Sequence, residues 1–282
     1  WWLKSQKPQL VSQKNYQCGG VHYLEQKYRY ANSTIMQKIM LHPDLKLIEF
    51  DTELDWHDSR RMLRTAFPLS LKAKNAVFDI QMGNLSRSTQ NNTSIEKARW
   101  EVPAQKWVDI SNGTFGASVL TDSKYGFRVK KNTIDLNLLR ATVHPGKDGD
   151  LGKHQFRYAF YIHGGDHNQG DVEWHATIFN TWFPFYGESK LTQPFIRISE
   201  KNIQYSTIKT AEDNKAGEGV ILRLYESAGT PTKCTIDLSY FGKGEIIETN
   251  LIEEGERKLG LGPELTLDFA PFEIRTLKIL PS

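Results

Sequence analysis

The clearest pattern in the chain is a strict alternation of apolar and polar positions over residues 48–57. A period of two places successive side chains on opposite faces of a β-strand, whereas a helix would scatter them around its axis. One face is predicted to enter a core and the other to meet solvent, as in an antiparallel strand. The inward face holds Ile48, Phe50, Thr52, Leu54 and Trp56, and the outward face holds Glu49, Asp51, Glu53, Asp55 and His57.

The same alternation returns along the rest of the chain, in segments separated by turn sequences such as Asn112-Gly113 and Asp148-Gly149. No helical period of normal length stands out, so the predicted fold class is all-β. The strand spacing favours a large antiparallel β-sandwich over residues 1–192, followed by a smaller β-domain over residues 193–282. The alternating segments are 76–82, 134–138, 156–162, 220–224 and 265–269.

Composition indicates which classes of binding partner and which cellular compartment to expect. The 282 residues include 36 basic and 33 acidic side chains, which gives a net charge of +3. No basic stripe indicates a nucleic-acid or membrane partner, and no apolar run approaches the roughly 18 residues of a membrane span. Cys18 and Cys234 show no metal-ligand spacing. They are predicted to be free thiols of a reducing compartment, which favours a cytoplasmic location.

The acidic face of the first strand raises the question of catalysis. Glycosidases use two carboxylates, and alternate residues on one strand face lie about 7 Å apart. Because any polar strand face provides that separation, a solvated face is the simpler interpretation. A self-sufficient β-sandwich glycosidase that uses the stripe from Glu49 to Asp55 stays open as an alternative.

Four histidines form the second candidate site. His163 and His167 flank Gly164-Gly165-Asp166, with His154 upstream and His175 downstream. Imidazoles beside a carboxylate can bind zinc, but this spacing matches no common ligand motif and the glycine pair indicates a turn. No metal ligand is therefore assigned to the chain.

The seven tryptophans suggest another class of function, a non-catalytic carbohydrate-binding β-sandwich module, because aromatic faces stack on sugar rings. Trp56 and Trp100 fall in strand-like segments and are predicted to be buried. Trp174 and Trp182 are the candidates for exposed aromatics.

Several segments, in a fixed order, carry a family resemblance. They are Phe50–Asp58, Ala66–Pro68, Glu101–Ser111, Leu120–Gly126, Leu138–Arg140 with Asp148, Asp150, Gly152 and His154 behind it, and Pro271–Leu277. Over about residues 20–279, the chain resembles the C-terminal β-rich half of glycoside hydrolase family 38 α-mannosidases, and within them the bacterial and cytosolic subgroup. Gln105 and Ser123 depart from the residues common there, His and Cys.

The resemblance implies a galactose-mutarotase-like supersandwich with a small β-domain, packed on an N-terminal catalytic barrel of the same polypeptide. Members of the family are retaining enzymes that release terminal α-linked mannose from mannosides or mannose-containing oligosaccharides. They use zinc or another divalent metal and an aspartate nucleophile. These groups lie on the barrel, so no catalytic residue is assigned here and the chain is expected to be scaffold and pocket wall. Association with further copies of the chain stays open.

Arg140 is the residue that the resemblance matches to an arginine lent to the substrate pocket. It continues the alternation of Ile134, Leu136 and Leu138, so we expect it at the end of their apolar face. From there the guanidinium must project into a polar site. Two roles stay open: a salt bridge to Asp148 or Asp150 that fixes the next turn, or, with these two residues, substrate binding.

Overall fold

The computed structural model describes residues 5–42, 44–181, 194–212, 219–255 and 257–281. Strands dominate them and pair antiparallel, so the predicted all-β class is confirmed. The described residues form two compact units. The first contains the residues up to 181, except for 81–84. The second contains residues 81–84 and the residues from 194 onward. The predicted boundary at 192/193 lies outside the described residues and stays a prediction.

Two sheets build the first unit. The strands of this part of the chain are β1 (Gln9–Cys18), β2 (Val21–Tyr30), β3 (Ser33–Leu41), β4 (Leu47–Trp56), β5 (Arg61–Pro68), β6 (Asn75–Ile80), β7 (Gly83–Ser88), β8 (Val102–Pro103), β9 (Trp107–Ser111), β10 (Phe115–Thr121), β11 (Gly126–Lys130), β12 (Thr133–Ala141) and β13 (Gly152–Gly164); the helices are α1 (Ser94–Ala98) and α2 (Val172–Asn180). Within the described residues, one sheet has the order β1-β2-β3-β4-β13-β10-β9-β6-β7 and the other β5-β12-β11-β8.

The main core lies between these two sheets. It joins Leu54 and Phe156 of the nine-stranded sheet with Phe127 and Leu136 of the four-stranded sheet. Trp56 is 2% exposed, and its indole nitrogen donates to the Asp58 carbonyl at 2.7 Å. The inward face predicted for β4 is therefore confirmed, because alternation delivers its apolar side chains to one core.

Helix α2 covers part of the opposite face of the nine-stranded sheet, and the sequence analysis misses it. Ala176 lies about one turn after Val172, and Phe179 nearly two turns after it. All three side chains pack on Trp107 and the strands around it. Nine residues give only about two and a half turns. A periodicity search has too few repeats in such a segment to separate helix from loop.

The second unit has its own pair of sheets and its own core. Its strands are β14 (Arg197–Ile198), β15 (Ile203–Thr210), β16 (Val220–Glu226), β17 (Thr232–Asp237), β18 (Glu245–Thr249), β19 (Arg257–Leu261), β20 (Glu264–Phe269) and β21 (Ile274–Leu280), with a 3-10 turn at Ser239–Phe241. The sheet orders are β14-β17-β20 and β15-β16-β21-β18-β19. Their core includes Leu222, Leu277 and Cys234. Cys234 is buried and Cys18 exposed, and both are free thiols, as predicted.

In the ranges that the structure describes, no helix is both long and apolar enough to cross a lipid bilayer.

Glu226, at the end of β16, holds the turns of the second unit together. Its side chain is buried, and its two carboxylate oxygens accept five N–H donors. The donors are the backbone nitrogens of Ala228 (2.7 Å), Gly229 (2.7 Å), Thr230 (3.2 Å) and Phe272 (3.0 Å) and the Asn202 amide (2.9 Å). A buried carboxylate is stable only with such partners, so this residue ties the β16–β17 turn to the β20–β21 turn.

We predict that Glu226→Gln destabilises the second unit by about 2–4 kcal/mol, because an amide group replaces one acceptor with a donor that faces N–H groups. Denaturant unfolding measures the loss. Hydrogen exchange of the amides of Ala228, Gly229, Thr230 and Phe272 locates it. Glu264→Gln, an exposed change on β20, is the matched control. Unchanged protection of the four amides in Glu226→Gln contradicts this role.

Candidate functional site

Three arginines lie on the outer face of the four-stranded sheet, on the side away from the core. Arg128 of β11 is opposite Asp135 of β12, and Arg64 of β5 is opposite Asn137. Residues directly opposite share a face, and their neighbours Phe127 and Leu136 enter the core. Arg140 lies opposite Met62, two residues from Arg64. We call Arg64, Arg128 and Arg140 the arginine face.

A β-bulge brings Arg140 to this face, which corrects the expected orientation. Asn137 pairs with Arg64 and Leu139 pairs with Leu63, so β12 uses two residues where β5 uses one. Leu139 and Ala141 then enter the core, and Arg140 is exposed on the opposite side. The exposure is as expected, but the prediction that Arg140 shares the apolar face of Ile134 and Leu136 is wrong.

Two carboxylates, those of Asp135 and Glu101, form ion pairs with the arginine face. Arg128 Nε donates to Asp135 Oδ2 at 2.6 Å, and Arg64 forms an ion pair with Glu101 while lying 4.0 Å from Asp135. Burial lowers the pKa of Arg64, as do Arg128 and Arg140, against the opposing effect of Asp135. Arg64 and Arg128 are thus each paired with a carboxylate of this surface.

Sequence reasoning misses Arg64, Arg128, Glu101 and Asp135 as site residues. A signal exists for two of them. Arg128 lies between Phe127 and Val129, and Asp135 between Ile134 and Leu136, so alternation alone turns both outward. The contact between Arg64 of β5 and Glu101, the residue before β8, joins segments that are distant in sequence, and no local pattern predicts it.

The face also contains a polar atom with no partner. A Cβ on Gly126 would lie 2.7 Å from Asn137 Nδ2, so the glycine leaves room for this amide. Among the described residues, Asn137 Oδ1 is buried without a hydrogen-bond donor. An unmet buried acceptor costs about 1–3 kcal/mol, and such atoms need a structural or functional explanation.

Asp150 closes the turn after β12 against the candidate site. Its Oδ2 accepts the backbone N–H of Arg140 at 2.9 Å, and its carbonyl lies 3.1 Å from His154 Nε2. Burial lowers the pKa of Lys124, and the nearby carboxylates of Asp150 and Asp122 oppose that effect. Asp148 is exposed in the same turn. The structure thus brings Asp150 to the backbone of Arg140, while the substrate-binding roles of Arg140, Asp148 and Asp150 stay predictions.

The histidines have other partners. His163 is buried, with Nε2 2.7 Å from Asp109 Oδ2 and 3.3 Å from Ser118 Oγ. His167 lies against Trp107, and burial lowers its pKa. No three His, Cys, Asp or Glu side chains in the described ranges are grouped to hold a metal ion.

The acidic stripe of β4 is only partly a solvated face. Glu53 is exposed, but Glu49 pairs with Arg157 at 3.1 Å and Asp55 with His57 at 2.8 Å. Arg157 compensates the charge of Glu49, and Asp55 has a partner in His57, which fits a structural role.

Of the four predictions about tryptophans, two are confirmed, one is wrong and one stays a prediction. Trp56 is buried as predicted, and Trp174 is 48% exposed, also as predicted. Trp100 is 71% exposed, so its predicted burial is wrong. It precedes β8, which is an edge strand of its sheet among the described residues. Trp182 lies outside the described residues.

Beneath α2, two carboxylates share one lysine. Glu173 of α2 binds the Lys106 ammonium and accepts the Trp107 indole N–H at 2.7 Å. Asp79 is 2% exposed and accepts the Lys106 backbone N–H at 2.7 Å. Burial, reinforced by Glu173 and opposed by Lys106, raises the pKa of Asp79 to about 7.

Comparison with known proteins identifies a family. Residues 5–148 match the model of the glycosyl hydrolases family 38 C-terminal domain, and residues 202–277 match that of the glycosyl hydrolases family 38 C-terminal beta sandwich domain. The chain is 33% identical over 258 residues to alpha-mannosidase 2C1 of Mus musculus, a match that covers 88% of this chain and 24% of the relative. For alpha-mannosidase G of Dictyostelium discoideum the identity is 32%, over 92% of this chain and 25% of the relative. The chain thus spans about a quarter of the length of these curated relatives.

A solved structure shares the fold. The crystal structure of an alpha-mannosidase from Enterococcus faecalis V583 superposes with a TM-score of 0.77 at 15% identity, and the match covers 97% of this chain and 35% of that chain. At this identity the likeness concerns the fold alone.

The raised pKa of Asp79 should make the stability of the fold depend on pH. Its pKa is higher in the folded chain than the roughly 3.9 of an unfolded one, so the folded state binds the proton more tightly. Stability should therefore fall as the pH rises from about 4 to 7. Asp79→Asn keeps an oxygen for the Lys106 N–H without the charge, and should be more stable than the parent at pH 8 by on the order of 1–4 kcal/mol.

Denaturant unfolding between pH 4.5 and 8 measures this difference, which should shrink toward the acid end. Glu53→Gln, which neutralises an exposed carboxylate, serves as the control and should leave the pH profile unchanged. Parallel profiles for Asp79→Asn and the parent chain rule out the proposed shift.

Proposed function

The chain belongs to glycosyl hydrolase family 38, and we propose that it forms the scaffold and one wall of the substrate pocket of a longer α-mannosidase. The proposed reaction is hydrolysis of terminal α-linked mannose with retention of configuration. The arginine face carries this proposal. It is a polar surface of guanidinium and carboxylate groups on paired strands. It includes Arg140, the residue that the family resemblance matches to an arginine lent to the pocket.

The chemistry of the arginine face suits a sugar and its acidic surroundings. A guanidinium offers a planar set of N–H donors that matches hydroxyl and carboxylate oxygens. Asp135 and Glu101 hold Arg128 and Arg64, so these donors are ordered before a ligand arrives. In this proposal Arg140, exposed at the end of β12, donates to substrate hydroxyls or to a carboxylate of the catalytic domain. Asp150 fixes the backbone beneath it.

We assign the catalytic carboxylates, and zinc or another divalent metal, to a catalytic domain of the same polypeptide outside this chain. The described residues offer no group of His, Cys, Asp or Glu side chains that could hold the metal. By the family resemblance, the metal and the nucleophile both lie on that domain, and the wall proposed here serves to orient the sugar. The two free thiols support a cytoplasmic location for this enzyme.

A non-catalytic carbohydrate-binding module is the second candidate function, because the exposed indole of Trp100 offers a stacking surface without any catalytic group. Turnover separates the candidates. The longer polypeptide that contains this chain should hydrolyse an aryl α-mannoside under the first proposal, and should only bind mannosides under the second.

We predict that the 282-residue chain alone, supplied with zinc, does not cleave an aryl α-mannoside, because retaining hydrolysis needs a positioned nucleophile and an acid/base partner. Release of the aryl group is followed by absorbance, with the longer polypeptide as the positive control. Turnover well above buffer, which persists after repeated purification, contradicts the assignment of catalysis to another domain.

We predict that Arg140→Ala in the longer polypeptide lowers kcat/KM for an aryl α-mannoside by about tenfold to a thousandfold, equivalent to about 1.4–4 kcal/mol of transition-state binding. The melting temperature should change little, since the side chain is exposed. Arg29→Ala, an exposed arginine on β2, is the matched control. A variant that melts several degrees lower with unchanged kcat/KM shows instead that Arg140 is structural.

A further inference from the structure

Helix α2 depends on its contacts with the nine-stranded sheet. Its nine residues are fewer than an isolated helix needs in water, and its N-cap residue, Asp171, makes no side-chain cap hydrogen bond. The helix packs on Trp107 and the strands around it through Val172, Ala176 and Phe179. Any change that weakens these contacts therefore also weakens the helix.

A cluster of charged groups lies in the same contact. Glu173 of α2 binds the Lys106 ammonium and accepts the Trp107 indole N–H. Lys106 Nζ also lies 3.5 Å from Thr177 Oγ1 of α2, and the Lys106 backbone N–H donates to the Asp79 carboxylate at 2.7 Å. Lys106 and Glu173 both act electrostatically on Asp79. One ammonium group thus serves two carboxylates, one on the sheet and one on the helix.

Asp79 is buried on the face of the sheet that α2 covers. Val77, two residues earlier on β6, packs on the apolar cluster that contains Val172 and Ala176 of α2, and alternate residues of a strand share a face. Asp79 is 2% exposed. On β7, the neighbour of β6, the charged residue is Arg87, which lies over Phe78 and thus on the core side.

We propose that protonation of Asp79 holds α2 on the sheet, and that loss of this proton favours the undocked helix. With Asp79 neutral, the Lys106 ammonium has Glu173 as its one charged partner in the cluster. With Asp79 charged, two carboxylates repel each other in a place with little water. Undocking of α2 takes Glu173 away and admits water, which stabilises the charged form of Asp79. Proton binding and helix docking are therefore coupled.

The pKa of Asp79 gives the direction of this coupling. Burial is the main cause that raises it to about 7, Glu173 adds to the effect and Lys106 opposes it. In the undocked form the pKa should approach the roughly 3.9 of a solvated aspartate. The docked form then binds the proton more tightly, so its advantage is complete below about pH 4 and is lost as the pH rises to about 7.

His167 acts in the opposite direction. It lies against Trp107, and burial lowers its pKa, so its titration would loosen the contact as the pH falls. The sign of a measured pH dependence therefore separates Asp79 from His167. Further charged or titratable groups against α2 are Arg157, which donates to the Phe179 carbonyl, and Tyr161 and His175, which contact each other.

Hydrogen exchange at a series of pH values tests the coupling in the longer polypeptide that contains this chain. Protection factors, which correct for the chemical pH dependence of exchange, are compared for the amides of α2 and of the buried strand β10. The opening constant of α2 should rise about tenfold between about pH 5.5 and 7 and level off above about pH 8. At every pH it should exceed that of β10 by about tenfold or more, because α2 opens locally.

Three variants identify the group responsible. Asp79→Asn keeps an oxygen for the Lys106 N–H, and should remove the rise and keep α2 as protected at pH 8 as at pH 5.5. Glu173→Gln removes one cause of the raised pKa, so the opening constant should level off at a lower pH than in the parent. Asp44→Asn changes an exposed aspartate in the β3–β4 turn, and this matched control should follow the parent.

Each other result overturns the inference. A flat parent profile, or a rise that persists in Asp79→Asn, shows that the Asp79 proton does not control docking. Equal opening constants for α2 and β10 show that the helix opens only when the whole unit unfolds. If Asp79→Asn does not fold, Glu173→Gln decides, and an unchanged levelling pH contradicts the coupling. None of these readouts depends on the proposed function.

Discussion

One extra residue in β12 determines which side chains reach the candidate site. Because the side-chain period of a strand is two, every residue beyond Leu138 would lie on the wrong face without the bulge. Leu139 and Ala141 would then point to solvent and Arg140 into the core between the sheets. The cost of burying an unpaired guanidinium excludes that arrangement. The apolar demand of the core and the solvation of the arginine therefore favour the same register.

Buried carboxylates in this chain show how environment gives one chemical group different roles. Glu226 accepts hydrogen bonds from five N–H donors and so connects two turns. Asp79 has one backbone donor, and burial, together with the nearby carboxylate of Glu173, raises its pKa against the opposing effect of Lys106. Asp109 takes the hydroxyl donors of Ser111 and Ser118 together with His163. All three carboxylates are buried, and they differ in the donors and charges that surround them.

The sequence predicts the fold correctly where many alternating residues carry the same signal. It mispredicts the position of a side chain where a single residue, such as the extra one in a bulge, determines the outcome. The alternation in β4 identifies the buried face that contains Trp56, and similar alternation elsewhere predicts the all-β class. The face of Arg140 is mispredicted because a bulge changes the phase without any change in composition. Trp100 is mispredicted because alternation cannot show that β8 is an edge strand. The arginine face needs strand neighbours that only the topology provides, since β5 and β12 are about seventy residues apart in sequence.

The parts of the candidate site differ in how precisely the backbone holds their side chains. Arg64, Arg128 and Arg140 extend from paired strands, and sheet backbone holds its side chains more precisely than loop backbone does. Trp100 lies outside the paired strands and is held by the contact of its neighbour Glu101 with Arg64. The side chains on paired strands are therefore held in one orientation by the sheet, whereas the position of the segment around Trp100 depends on the contact between Glu101 and Arg64.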